Sequence, residues 1–266
     1  KHSFLVQKAE DIPDIVKKAF HIATTGRKGP VVIDIPKDFT DPEYKFEFSY
    51  PSQVNMRSYN PPKGADTSRI KEAADLIATA KKPVIYSGGG VNQNNASEEL
   101  TALAKLLNFP VTNTLMGLGA FPGSDPQFMG MLGMHGTYQA NMAMHNADLI
   151  IAVGARFDDR ITNDPKQFAL SAKKIHIDVD PASVSKIIHA DVPIVGSAKE
   201  SLTALIEELK SRDLKTNESA ISEWNQQIID WTDAHGLNHS LLEVGSQNGK
   251  ILPQQVILIF YRRCLT

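Results

Sequence analysis

Apolar residues recur along this chain at two spacings, and the two spacings alternate. Ile12, Ile15, Val16, Ala19, Phe20 and Ala23 repeat at helical spacing, with Asp11 placed as an N-cap, Pro13 in the first turn and Gly26 as a stop. Residues 30–35 then read as a short buried strand closed by Pro36. The alternation turns regular from Thr67. Ile70, Ala73, Ala74, Ile77 and Ala78 form a helical face, and Pro83–Ser87 is a strand running into three glycines. Leu100, Leu103, Ala104 and Leu107 mark a helix over 96–107, and a strand follows at 110–114. A helix over 138–145 leads to Leu149–Val153, whose unbroken apolar run suits a parallel strand covered on both faces. Strands at 174–179 and Val192–Val195, a short helix over 182–187 between them and a helix over 198–209 complete the series. This order predicts an α/β fold: a parallel, doubly wound, Rossmann-like six-stranded sheet with right-handed crossovers, five of whose strands the pattern locates.

The flanks read differently. One helix and one strand cannot bury both faces of a sheet, so residues 1–40 are expected to be the end of an earlier α/β domain. Residues 41–63, rich in proline, aromatic and polar side chains without a period, suit a crossing between domains. The regular unit spans 64–211. Within 212–250, Ile221, Trp224, Ile228 and Trp231 make a stripe that reads as packing rather than a ligand box, and 233–249 reads as a linker. Residues 251–266 begin another amphipathic element, expected to open a further domain.

Composition narrows the function. The 266 residues are 42% hydrophobic and 22% charged, the proportions of an ordinary globular protein. A formal net charge of −2 without any basic run argues against nucleic acid, and no apolar stretch approaches the roughly 20 residues of a membrane helix. The first residues lack the apolar core and cleavage site of a signal peptide. Cys264 is the single cysteine, which excludes an internal disulfide and cysteine-bound zinc and sets a reducing, cytoplasmic location as the expectation.

Charge and glycine gather at predicted strand ends, where open α/β sheets bind ligands. After Leu149–Val153 come Gly154, Ala155, Arg156, Phe157, Asp158, Asp159 and Arg160. Alone this is either a binding loop or a solvated turn with local ion pairs. Gly88, Gly89 and Gly90 are either a phosphate cradle or a plain tight turn. The loops at 114–119 and 132–136 are again glycine-bearing, and Asp178 and Asp180 offer carboxylates at another strand end. Together they describe a long cleft fit for an extended dinucleotide, with arginine and amides for phosphate and carboxylate for ribose or adenine. Chemistry is sparser. His135 is a candidate general base, against a histidine that only hydrogen-bonds a neighbour or ligand. Asp158 and Asp159 are adjacent and point apart, which disfavours a paired acid and base. There is no nucleophile elbow, no P-loop lysine and no metal-spaced histidine and cysteine set.

Residues 29–38, 113–122, 131–137, 156–160 and 176–181 resemble, in order, phrases of the acetolactate synthase (acetohydroxyacid synthase) large-subunit family, and residues 56–61 are similar to its bacterial members. The family is a set of three-domain thiamine-diphosphate enzymes. The resemblance implies decarboxylation of pyruvate and transfer of the two-carbon unit to a second 2-oxoacid, pyruvate or 2-oxobutanoate, in synthesis of valine and isoleucine. It also implies a homodimer, a small regulatory subunit, and FAD held by the middle domain with no net redox part in the main reaction. Residues 1–40 would then end the pyrimidine-binding domain, 64–211 would be the FAD-binding domain, and 251–266 would begin the diphosphate-binding domain. The catalytic glutamate would precede Lys1 and the Gly-Asp-Gly site for Mg2+ and thiamine diphosphate would follow Thr266, so this stretch is expected to be inactive by itself. Relatives in the same thiamine family, a pyruvate oxidase or a glyoxylate carboligase, are the alternative enzymes, and a non-catalytic nucleotide-binding module is the alternative outside them. Residues 131–136 and 156–160 favour the synthase.

Carried over position by position, the resemblance implies flavin contacts at Arg27, Gly88, Gly89, Gly90, Thr114, Leu115, Met116, Leu132, Gly133, Met134 and His135. Gly154, Ala155, Arg156, Asp158, Arg160, Ile161, Asp178, Val179 and Ser197 complete that set. Arg160 would receive the carboxylate of the second oxoacid, a task suited to a bidentate guanidinium, and Met134 and Asp159 would line the same channel. Two positions depart from the family pattern. Lys28 stands where a proline is usual, and Ser197 replaces a carboxylate expected at the adenine end of the flavin.

Overall fold

The computed structural model describes residues 1–43, 45–62 and 64–236. The chain opens with strand β1 (His2–Leu5), helix α1 (Ile12–Thr24) and strand β2 (Val31–Asp34), and the two strands pair in parallel as a two-stranded sheet. The strand β1 was not read from the pattern, because four residues with one inward side chain carry no period. Asp11 does not cap α1 through its side chain; a 3-10 turn over Ala9–Asp11 leads into the helix, and Asp11 already has helical dihedrals. Leu5, Phe20 and Val32 remain exposed on this unit.

Helix α2 (Thr67–Thr79), capped by the Asp66 carboxylate on two backbone N–H groups, starts the main unit. It leads into β3 (Pro83–Ser87), the short helix α3 (Gly89–Gln93), α4 (Ser97–Leu107) and β4 (Val111–Asn113). Next come β5 (Phe128–Met131), α5 (Tyr138–Asn146), β6 (Leu149–Val153), α6 (Asp159–Thr162), β7 (Lys173–Asp178) and β8 (Val192–Val195). Helices α7 (Ala198–Ser211) and α8 (Glu218–His235) complete the described elements. The six strands form one all-parallel sheet in the order β5-β4-β3-β6-β7-β8.

Alternate strand residues feed two cores. Ile85, Val111, Ile151, Val153, Ile175 and Ile177 pack with α2, α4 and α7 on one face. Val84, Tyr86, Ile150 and Ala152 pack with α5 and α8 on the other. Of the Ile221, Trp224, Ile228 and Trp231 stripe, the last three are this packing and Ile221 joins the first core; Trp224 Nε1 also donates to Pro83 O at 3.0 Å. Residues 182–187 are turns rather than a helix. Ala182 N donates to Asp180 Oδ1 at 3.0 Å, Ala190 N donates to Ser185 Oγ at 3.1 Å, and Ser185 is left-handed at φ 56°, so side chains take backbone groups a helix would need. The linker read over 233–249 falls partly on α8, which continues to His235; the element read from 251 lies outside the described residues.

Candidate functional site

The strand order reverses between β3 and β6: β4 and β5 extend the sheet to one side, β7 and β8 to the other. A crevice at such a reversal, outside the carboxyl ends of the strands, is where dinucleotides sit in this architecture. Here the two strand ends press together. Gly88 N donates to Val153 O at 2.9 Å and Gly90 N to Gly154 O at 3.1 Å. A Cβ on Gly88 would lie 2.2 Å from Gly154 O, and one on Gly90 2.6 Å from Gly154 Cα. The glycines are therefore demanded by backbone meeting backbone. They are neither a plain turn nor, at Gly88, a surface of the cleft.

On the β6 side, Gly154 turns the chain at φ 58° and Phe157, also left-handed at φ 51°, drives its ring into the core. That ring lies 5.5 Å from Tyr86, 5.8 Å from Phe168 and 5.2 Å from His176 between centroids. With Phe157 anchored, Arg156 and Asp158 face outward and pair with each other. Asp158 Oδ1 accepts from Asp159 N at 2.8 Å and caps α6. Hydrogen bonding with Asp159 holds the Asp158 carboxyl below the usual carboxylate range; burial opposes it and the Arg156 guanidinium adds to the lowering. Beneath the loop, buried His176 donates from Nε2 to Ala155 O at 2.8 Å, and burial pushes its pKa down. At the end of β7, burial pushes the Asp178 carboxyl up, opposed by the bond its Oδ1 accepts from Asp180 N at 2.8 Å. Arg27 reaches over from the first unit, with Nη1 at 3.3 Å from both Asp180 Oδ2 and Ser183 Oγ.

The β4 and β5 side is built from backbone and apolar tips. Thr114 Oγ1 accepts from Gly117 N at 2.9 Å and fixes a 3-10 turn that presents Leu115 and Met116, 68% and 72% exposed. Asn141 clamps the Gly133 peptide, accepting from its N–H at 3.0 Å and donating to its carbonyl at 3.1 Å. Met134, 58% exposed, follows, and its N–H donates to Arg160 O at 3.1 Å, joining the two sides.

Between them lies a cavity of ≈ 430 Å³, within the range of small-molecule sites. All but four of the residues expected from the sequence line it, Arg27, Arg156, Arg160 and Asp178 among them. Gly88 and Gly133 act behind the wall as described. Asp159, the first residue of α6, is not part of the lining, and Ser197 sits past the end of β8, outside the cavity. The lining also includes Tyr86, Gln93, Asn94 and Met131. Tyr86 lies within the strand read at Pro83–Ser87, Gln93 and Asn94 lie one turn past the glycines, and Met131 ends a strand the pattern does not show. His135 faces the cavity without a hydrogen-bond partner among the described residues, so nothing sets it up as a general base. Among the described residues no group of three His, Cys, Asp or Glu could hold a metal ion, and no helix is long and apolar enough to cross a membrane. The arrangement can hold an elongated anionic ligand with an apolar end.

Comparison with known proteins places the chain in a family. Residues 70–205 match the family model described as thiamine pyrophosphate enzyme, central domain. The acetolactate synthase large subunit of Haemophilus influenzae is 48% identical over 262 residues, covering 98% of this chain and 45% of that protein. The isozyme 3 large subunit of Escherichia coli K12 is 47% identical over 262 residues, again 98% of this chain and 45% of that protein. A probable acetolactate synthase large subunit from Methanocaldococcus jannaschii is 47% identical over 231 residues, 86% and 38% of the two chains. The chain thus spans less than half the length of the curated relatives it matches. It belongs to the thiamine pyrophosphate enzyme family, whose central domain it carries over residues 70–205.

Proposed function

We propose that this chain is the flavin-holding part of an acetolactate synthase large subunit, an enzyme that decarboxylates pyruvate and passes the two-carbon unit to a second 2-oxoacid. The carrying observation is the cavity at the strand-order reversal, which draws Arg27, Arg156 and Asp178 from three separate elements to face Leu115, Met116 and Met134. Guanidinium groups suit a pyrophosphate, a strand-end carboxylate suits ribose or adenine hydrogen bonds, and the exposed apolar tips suit a flat ring system. FAD offers all three, and its fit is supported by residues that otherwise leave large apolar side chains in water.

Thiamine diphosphate would supply the carbanion-stabilising chemistry in the whole enzyme. The 266 residues hold no Gly-Asp-Gly motif. We assign thiamine diphosphate, Mg2+, the homodimer contacts and any small regulatory subunit to the whole enzyme, with turnover absent from these residues by themselves. Arg160, which lines the cavity and whose carbonyl accepts from Met134 N–H, is proposed to receive the carboxylate of the second oxoacid. The exposed Leu5, Phe20 and Val32 support the reading of the first unit as part of a larger domain.

Titration of the purified chain with FAD, followed by flavin fluorescence and thermal melting, tests this. Saturable binding and a rise in Tm are expected, since a ligand at 100 times its Kd adds about 2.7 kcal/mol. No shift at saturating FAD would sink the flavin reading. Acetolactate formed from pyruvate, thiamine diphosphate and Mg2+ by these residues alone would sink the assignment of turnover elsewhere.

A further inference from the structure

We infer that the Tyr86 hydroxyl is a ligand contact on the floor of the cavity, donating a hydrogen bond to an oxygen or ring-nitrogen acceptor of the bound flavin nucleotide. This rests on the flavin reading above and adds to it a residue outside the set that the sequence or the family resemblance picks out.

Tyr86 is the fourth residue of β3, flanked in register by Thr112 of β4 and Ala152 of β6, directly under the strand-order reversal. Its ring belongs to the core with Val84, Ile150 and Ala152 and tilts at 50° against Phe157. The residue is 1% exposed, yet it lines the cavity. Its hydroxyl has no hydrogen-bond partner among the described residues, and it is absent from the sealed, unpartnered polar atoms, Glu99 Oε2, Asn113 Nδ2, Gln139 Oε1, His176 Nδ1 and Ser201 Oγ. What remains of its surface is therefore at the cavity, and the hydroxyl opens there.

Phenylalanine would fill the same space without carrying a polar group into a core, a burden tyrosine relieves only when its O–H finds a partner. The charged groups that act on it, Arg156 and Asp158, are already paired with each other. Burial raises the phenol pKa well above its ordinary value, which keeps the group a neutral donor across the working pH range. A neutral donor set between an arginine-bearing wall and an apolar wall suits an uncharged acceptor of a flavin nucleotide.

The test is Tyr86→Phe in the full chain, with FAD affinity measured by titration and the ligand-free protein melted alongside. FAD binding about three- to tenfold weaker, with ligand-free Tm unchanged, is the expected result, the effect of one net hydrogen bond. Unchanged affinity in a variant whose parent binds FAD would overturn the contact and leave the flavin reading standing. A ligand-free Tm lowered by more than about 4 °C would overturn it too, by revealing an internal role for the hydroxyl. A parent chain that fails to bind FAD removes both.

Discussion

The two walls of the cavity solve one problem with different chemistry. The wall from β6 and β7 is charged: a left-handed glycine and an anchored phenylalanine hold Arg156 and Asp158 outward, and Asp178 and Arg27 extend the line. The wall from β4 and β5 lines the cavity without Asp, Glu, Lys or Arg; it consists of a capped 3-10 turn, a clamped Gly133 peptide and the exposed Leu115, Met116 and Met134. A ligand lying across both must be polar or anionic on one side and flat or apolar on the other. The difference teaches where binding energy would arise: in charge-assisted hydrogen bonds on one wall, in desolvation on the other.

The seam joining the walls offers the largest expected effect. Gly88→Ala would push a Cβ to within 2.2 Å of Gly154 O and 2.7 Å of Ala155 Cα, both backbone atoms, with no flexible side chain to yield. A loss of about 3 kcal/mol is expected, in the range for strain in packed structure, lowering Tm by roughly 6–12 °C. Gly119→Ala is the control. Nothing lies within 4 Å of its Cβ, and only its left-handed φ of 87° opposes the change, so a loss near 1 kcal/mol is expected. Equal melting curves for the two variants would show that the walls are not locked together at Gly88.

Asp178 sharpens the charged wall. Burial raises its carboxyl pKa in the folded state, so its contribution to stability is fully present below the unfolded carboxylate pKa and is lost as pH rises through the raised folded value. At neutral pH the ionised group therefore opposes folding of the ligand-free protein. Asp178→Asn keeps an oxygen that can accept from Asp180 N and removes that charge. The ligand-free variant is expected to melt above the parent at pH 7, with the gain fading as pH falls towards about 4. FAD binding should move the other way, weakening about tenfold through loss of a charge-assisted hydrogen bond. A parallel loss of stability and affinity at pH 7 would mean that Asp178 is structural rather than a ligand group.

Legibility from sequence followed burial and charge. Interior strands of a parallel sheet are continuous apolar runs, so β3, β6 and β7 stand out, and the charged wall shows as clusters after them. The edge strand β5, Phe-Met-Gly-Met, is four residues long and broken by Gly130 at φ 91°, so it shows neither an unbroken apolar run nor alternation. Helix α3 begins within three glycines and reads as a turn. The apolar wall shows in the sequence as glycine-bearing loops at 114–119 and 132–136, but its Leu115, Met116 and Met134 tips stand out only through family resemblance, since exposed methionine and leucine look like core from composition. Tyr86 and Asn141 were missed for a different reason: a strand tyrosine and a helix asparagine carry no local signal, and their neighbours across the fold give them their roles.

The smallest effect is expected at Ser197, where the resemblance implied a missing carboxylate at the adenine end. Ser197 occupies the N-cap position of α7 without a side-chain capping bond, and it stands past β8, where the neighbouring Gly196 N donates to Asp178 O at 3.0 Å. The Ser197→Asp substitution would place a negative charge at the start of a 14-residue helix, where it is worth about 0.5–1 kcal/mol. A rise in Tm of about 2 °C is expected, with FAD affinity within about twofold of the parent, because the new carboxylate lies outside the cavity. If instead affinity rose tenfold at unchanged ligand-free stability, the charged wall would extend one strand further, to β8. The ligand would then be longer than the span from Arg27 to Met134.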